Sequence, residues 1–418
     1  MNQRRIRVLY VARTARGGSA FSLFHLIQGL DRRRFEPAVL FYAQDAAHIP
    51  GRLIEIGVPL AALAKATPPV ASAPAAAPRP ARDIAGWLGA RLGGWAAAAY
   101  RSLKSAYEFG REDLPRVRAI YQAIRRAGAD LVHVNTSLRN GKAAIVAARW
   151  AGVPCVCHVR MFDELNAFDR LFAPGVRAFL CISGAVRAHL TAQGVAPERS
   201  QVVHNAVDLA DYVRPPDPAA VRGEFGWPAA TPLVGIVGRL DWWKGHEYFL
   251  QALAEVVRQV PTARGLVIGE AETGPLNQVY SARLQTLTRE LGLSDKVVFT
   301  GFRADVPRLM GALDVVVLSS AEPEPFGRVV IEGMAAGRPV VATAAGGVLD
   351  VIEDGVNGVL VPPRDAPALA AALRALLTEP ARARQIGQAA RQRVLTHFSL
   401  AQHVTRMEGL YAAVLKAA

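Results

Sequence analysis

Apolar residues fall in short runs separated by polar turns. IRVLYVA (Ile6–Ala12) has the near-continuous apolar pattern of a parallel strand buried on both faces. RTARGGSA follows as a glycine turn and FSLFHLIQGL as a helix with one apolar face, and together they open a βαβ unit. FEPAVLFYA, DLVHVNTS, PCVCHVR and RAFLCIS are further strands, separated by helices such as the one around Ala143–Ala151. Near His204–Val213 the alternation pauses and Pro215, Pro216 and Pro218 follow, which predicts an interdomain linker. It resumes with LVGIVG, RGLVIGE, KVVFTG, DVVVLSS, RPVVAT and GVLV as strands, RLDWWKG as a turn and HEYFLQALAEVVRQV as a helix. The last segment, HFSLAQHVTRMEGLYAAVLKAA, is predicted as one amphipathic helix long enough to return to the first half.

This alternation predicts an α/β chain of two doubly wound domains, and 418 residues exceed what one compact core organises. Two stretches interrupt the first half. Ala64 to Ala81 is a proline and alanine run that continues neither strand nor helix, read as a mobile loop. After it, Trp87, Trp95, Tyr100, Tyr107, Leu88, Leu92 and Leu103 mix with Arg82, Arg91, Arg101 and Lys104. Such a mixture suits a helix lying in an anionic membrane interface, and equally a helix packed on its own domain.

Composition adjusts this picture at three points. The net charge is +14, but only six of the 49 basic residues are lysine and they are scattered, with Arg32–Arg34 the only tight run. That argues against nucleic acid and for an anionic membrane surface or a phosphorylated substrate. Three cysteines, Cys155, Cys157 and Cys181, are too few for a disulfide scaffold and lack partners for zinc. The polar, basic start runs directly into a strand without a signal peptide's apolar region, and no run is long enough to span a membrane, so the expected location is cytoplasmic, peripheral on the inner face of the membrane.

The densest chemistry lies in EPEPFGRVVIEGMAAGRPVVATAAGG (Glu322–Gly347). Phe326-Gly327 turns out of the DVVVLSS strand into a helix predicted from about Gly327 to Ala336, whose unpaired amides favour phosphate. Glu324 and Glu332 stand eight residues apart, roughly 12 Å at a helical rise, about the length of a nucleotide sugar. Carboxylates suit that ligand because each accepts hydrogen bonds from paired hydroxyls. Taken alone, the same pair is a loop acid and a helix-face acid.

The run from Glu324-Pro325-Phe326-Gly327 through Glu332, then GMAAGRPVVAT and GG, then DGVNGVLVPPRD, resembles the donor-site signature of the retaining, two-domain GT-B glycosyltransferases, family 4-like. VGRLDWWKGHEYFLQA resembles the same family's G-R-L…K-G segment, and likeness extends over nearly the whole chain. The resemblance implies two Rossmann-like domains facing a cleft: an acceptor domain at 1–207 with the 64–110 insertion, a donor domain at 208–395, and a helix at 396–418 crossing back. It implies a retaining, hexosyltransferase-type enzyme moving a sugar from a nucleotide-sugar donor to a glycan or lipid-linked acceptor, as in bacterial cell-surface polysaccharide synthesis, with no cofactor and no metal. It also implies the site: Arg239 and Lys244 on the donor diphosphate; Glu324 and His158 at the transferred sugar; and Gly17, Gly18, Phe326, Gly327, Arg328, Val329 and Glu332 around the donor. Asn135 and Arg160 are expected at the acceptor, and Ser183 closing a turn. Gly17-Gly18 is not G-x-G-x-x-G, so a nicotinamide dinucleotide has no fingerprint here.

Two departures from the family pattern are Asn205-Ala206-Val207-Asp208, where Asn-Gly-Val-Asp is usual, and Leu349-Asp350, where Pro-Glu is usual. Asp350 is read as replacing that glutamate with a shorter reach. The rival expectations are a nucleotide-sugar epimerase or hydrolase of the same fold, and a non-catalytic nucleotide-sugar-binding protein.

Overall fold

The computed structural model describes residues 4–15, 17–42, 48–62, 93–213, 217–271 and 274–417. The proline and alanine run, and Arg82, Trp87, Leu88, Arg91 and Leu92 of the aromatic segment, lie outside them. The chain forms two compact units, Met1–Val203 with Val404–Ala418, and His204–His403.

The first unit holds β1 (Ile6–Ala12), β2 (Phe35–Phe41), β3 (Leu60–Ala62), β4 (Leu131–Val134), β5 (Cys155–Val159), β6 (Ala178–Cys181) and β7 (Ser200–Val202), in the order β3-β2-β1-β4-β5-β6-β7. The second holds β8 (Leu233–Val237), β9 (Arg264–Ile268), β10 (Val297–Gly301), β11 (Val315–Leu318), β12 (Val340–Thr343) and β13 (Val359–Val361), in the order β10-β9-β8-β11-β12-β13. Every pairing is parallel. Strands such as VVVL of β11 and VVAT of β12 are buried along their whole length, as a sheet covered by helices on both faces requires. These are two Rossmann-like, doubly wound units.

In each sheet the winding reverses between the first strand and the fourth, at β1/β4 and at β8/β11. Open α/β sheets bind ligands at the carboxyl ends of the strands beside such a switch point. The chain leaving β1 leads to Gly17 and Gly18, that leaving β4 to Asn135, that leaving β8 to Arg239 and Lys244, and that leaving β11 to Glu324. Six of the residues singled out from the sequence therefore follow these strand ends.

One local expectation changes. The glycine pair is not a turn ahead of the first helix but its first turn, in Gly17–Gly29. The division between the two units falls at Val203/His204. Val207 already forms a bridge with Ser399 in the second unit, its amide donating to the Phe398 carbonyl at 3.0 Å. The last segment is one helix, Leu400–Lys416, separated from the preceding helix Pro380–His397 by Phe398, which turns inward at 2% exposure. The Phe398 carbonyl serves Val207, so the helical ladder breaks there. The terminal helix then packs in the first unit, where Glu408 accepts from the Asp31 amide at 2.8 Å and pairs with Arg34 at 2.9 Å.

The described part of the aromatic segment is a helix, Gly94–Glu108. One face docks: Ala96, Ala97 and Ser105 are buried, and Ser105 Oγ donates to Asp169 Oδ1 at 2.7 Å, where Lys142 Nζ also lies at 2.7 Å. The other face shows Trp95 at 74%, Leu103 at 71% and Tyr107 at 65% exposure. The docked face is that of a helix packed on its own domain. No helix among the described residues is long and apolar enough to cross a membrane.

Candidate active site

Three segments of the second unit meet at Glu324. Its carboxylate is buried, and Oε1 accepts from Lys244 Nζ and from Ser320 Oγ, each at 2.6 Å. Its backbone bridges to Gly346, and its carbonyl accepts from the Gly347 amide at 2.7 Å. Gly346 has φ +71°, and a Cβ there would lie 2.1 Å from the Glu324 carbonyl oxygen, so only glycine lets the two chains touch. Lys244 ends the Trp242–Lys244 turn, with its ammonium 4.0 Å from the Trp243 ring centre, and the Trp243 indole donates to Asp241 at 2.8 Å. An ammonium has three donors, so one bond to Glu324 leaves capacity for a phosphate. Arg239 lies exposed in the same connection, between β8 and that turn.

Phe326 is buried, its ring 5.9 Å from His204 and 6.0 Å from Phe398. Gly327 precedes the helix Arg328–Ala335, which places half-buried Arg328 and Val329 in its first turn. Arg328 Nε donates to Glu332 Oε1 at 2.6 Å across one helical turn. Glu332 therefore points along the same helix face as Arg328, one turn beyond the Phe-Gly turn. His246, just after Lys244, is fully buried, and burial with the Lys244 charge pushes its pKa down to about 3. It is neutral at working pH and is no proton donor there.

The first unit gathers a second set. His158 is fully buried at the end of β5. Arg160 Nη2 is 3.3 Å from His158 Nδ1, and Nε donates to Asn135 Oδ1 at 2.6 Å. A guanidinium only donates, so Nδ1 accepts and the neutral ring carries its proton on Nε2. Asn135 Nδ2 in turn donates to the Ser19 carbonyl at 3.3 Å, in the turn that begins with Gly17 and Gly18. Asn135, His158 and Arg160 are thus one connected cluster, tied through Asn135 to Ser19, the residue that follows Gly17 and Gly18. Sequence reasoning passed over its neighbour His133, whose Nδ1 lies 2.6 Å from the Tyr411 hydroxyl and whose ring stands 5.4 Å from that of His158. The signal for His133 was its place two residues before Asn135; Tyr411, on the terminal helix, offered none.

The remaining candidates behave as structural groups. Ser183 Oγ accepts from the Val186 amide at 3.1 Å and caps the helix Gly184–Ala192. Burial pushes the thiols of Cys155 and Cys181 up to about 12 and Cys157 well above its ordinary value, so none is a ready nucleophile. Asp350 does not extend alone: its Oδ2 accepts from His204 Nε2 at 3.0 Å.

Comparison with known proteins agrees with this fold. The family model described as Glycosyltransferase Family 4 matches residues 16–211, and that described as Glycosyl transferases group 1 matches residues 219–393. The D-inositol 3-phosphate glycosyltransferase of Frankia alni is 33% identical over 304 residues, covering 65% of this chain and 74% of that one. The protein of the same name from Segniliparus rotundus is 37% identical over 204 residues, covering 48% of this chain and 44% of its relative. The crystal structure of Anabaena HepE in complex with UDP and glucose shares the fold, with a TM-score of 0.79 at 24% identity over 98% of this chain and 100% of that one. With one matched family on each of its two parallel sheets and a relative matched over most of its length, the chain belongs to the GT-B glycosyltransferases, family 4 in its first half and group 1 in its second.

Proposed function

We propose that this glycosyltransferase binds a nucleotide sugar at the β8/β11 switch point and transfers the sugar, with retention and without a metal, to a lipid-linked or growing cell-surface glycan. The observation that carries it is the Lys244–Glu324 pair: a carboxylate for sugar hydroxyls and a cation for the diphosphate, fixed 2.6 Å apart at the mouth of a parallel sheet. Arg239 and Lys244 supply positive charge where the leaving diphosphate develops negative charge, which supports metal independence. Glu332 is assigned to the ribose hydroxyls, and Phe326, Gly327, Arg328 and Val329 to the wall and helix end beside the phosphates. His158, Asn135 and Arg160 belong to the sugar and acceptor side.

In the front-face mechanism proposed, the acceptor oxygen bonds to the anomeric carbon on the side that the diphosphate leaves. The bond from that carbon to the diphosphate oxygen breaks, and the acceptor proton passes to the departing phosphate. No side-chain nucleophile takes part. The direct test is a thermal-shift screen of UDP-, GDP-, ADP- and TDP-sugars with and without EDTA. One nucleotide class is expected to raise the melting temperature, to do so in EDTA, and to fail in Glu332→Ala. Loss of the shift in EDTA would remove metal independence, and donor turnover without any acceptor would favour the hydrolase or epimerase.

The membrane side of the proposal rests on the exposed Trp95, Leu103 and Tyr107 beside Arg101 and Lys104. An amphipathic helix so composed places its aromatic residues among headgroups and its cations against anionic lipid. Trp95→Ser with Leu103→Ser is expected to weaken sedimentation with anionic vesicles about tenfold or more, at roughly 25 cal/mol per Å² of apolar surface. Unchanged sedimentation, or glycosylation of soluble D-inositol 3-phosphate in place of a lipid acceptor, would end that part of the proposal.

A further inference from the structure

Resting on the donor-site reading above, we propose that His204 is a positioning residue for the donor loop and acts through Asp350. The chain passes between its two units after Val203 and again after His403. These two passages are tied together on the second unit: His403 Nδ1 donates to the His204 carbonyl at 2.9 Å, and Val207 exchanges backbone bonds with Phe398 and Leu400. His204 is therefore anchored through its backbone to both passages.

Its side chain reaches the other way, toward the loop after β12. The imidazole stands 5.9 Å from the Phe326 ring and 5.4 Å from the Phe398 ring, and Nε2 donates to Asp350 Oδ2 at 3.0 Å. Asp350 belongs to the short helix Val348–Val351, which follows Gly346 and Gly347 directly. That loop is fixed at its start by the Gly347 amide on the Glu324 carbonyl. It is fixed at its end by Arg393, whose guanidinium donates to the Asp350 and Val351 carbonyls at 3.1 and 2.9 Å. Between these points the His204 imidazole joins the loop, through Asp350, to the Phe326 ring, two residues beyond Glu324.

This arrangement gives the Leu349-Asp350 departure a physical meaning. The shorter acid is part of a His–Asp pair that holds the loop's shape, rather than a carboxylate reaching for the sugar. A loop held in its binding conformation loses less freedom on binding, so the pair acts on donor affinity more than on the chemical step.

The test is calorimetric titration of the full chain with whichever of UDP, GDP, ADP or TDP stabilises the wild type, with steady-state kinetics for its sugar donor. In His204→Ala and Asp350→Ala the Kd and donor KM are expected to rise about tenfold, with kcat within about threefold. The double variant is expected to be no worse than either single one, because both remove the same interaction. His204→Gln, whose amide also donates, is expected to stay within about threefold of wild type. It carries the test if the alanine variant does not fold. A wild-type Kd in His204→Ala, or additive single effects, would overturn the proposal, and so would a hundredfold loss of kcat in Asp350→Ala with His204→Ala unaffected. If the wild type binds none of the nucleotides, the donor site itself falls and this proposal with it.

Discussion

Replacing Lys244 with alanine is expected to lower turnover by about a hundred- to a thousandfold, the loss that follows removal of one preorganised donor to developing charge. The ammonium is held by Glu324 at 2.6 Å and by the Trp243 face at 4.0 Å, so on the proposed function it would meet the diphosphate already ordered. Lys244→Arg is not expected to rescue, because a planar fork cannot occupy the site of a compact ammonium between an indole and a carboxylate.

The same substitution has a second effect. Glu324 is 6% and Lys244 18% exposed at the side chain, so the alanine variant leaves a buried carboxylate with Ser320 as its remaining side-chain donor among the bonds described. Removing one partner of such a pair costs about 3–5 kcal/mol. Instability and lost chemistry are separated by Lys244→Met with Glu324→Gln, which removes both charges. Stability is expected to return toward wild type while activity stays lost. Wild-type turnover in Lys244→Ala, or restored turnover in the double variant, would make the pair a purely structural clamp.

Most strands are legible in the sequence, because a parallel strand buried on both faces is a run of Val, Ile and Leu with little else. VVVL and VVAT are unambiguous for that reason. The helix after Gly327 is legible from Phe-Gly followed by an apolar face, and it begins at Arg328, one residue after the glycine that ends the turn. Polar partners distant in sequence are not legible in this way. Ser105, Lys142 and Asp169 form one buried knot from three separate helices, yet each looks like an ordinary surface residue in its own segment. His204 and Asp350 lie 146 positions apart. Periodicity reports which face of an element is buried, and it carries no information on which remote group will satisfy a buried donor.

Gly245→Ala is expected to destabilise the second unit by roughly 3–5 kcal/mol, in the range reserved for severe local strain. Gly245 has φ +68°, which alone costs an L residue about 1–2 kcal/mol. An added Cβ would also lie 1.9 Å from the Ser319 carbonyl oxygen, a backbone atom that no rotamer change can move. Ser319 Oγ donates to the Gly245 carbonyl at 2.9 Å and the Ala321 amide to the Trp243 carbonyl at 2.8 Å, so relief requires parting the lysine turn from the end of β11. Gly292 is the matched control, with the same φ of +68° and nothing within 4 Å of a Cβ. Its alanine variant should lose only the conformational part. The expected melting curves therefore differ, with Gly245→Ala lower by roughly 10 °C and Gly292→Ala by a few degrees, at about 2–4 °C per kcal/mol. Donor binding should fall with the first and not with the second, because only the first separates Lys244 from Glu324. Equal melting temperatures would mean that the turn yields without strain, and that its contact with β11 does not hold the lysine in place.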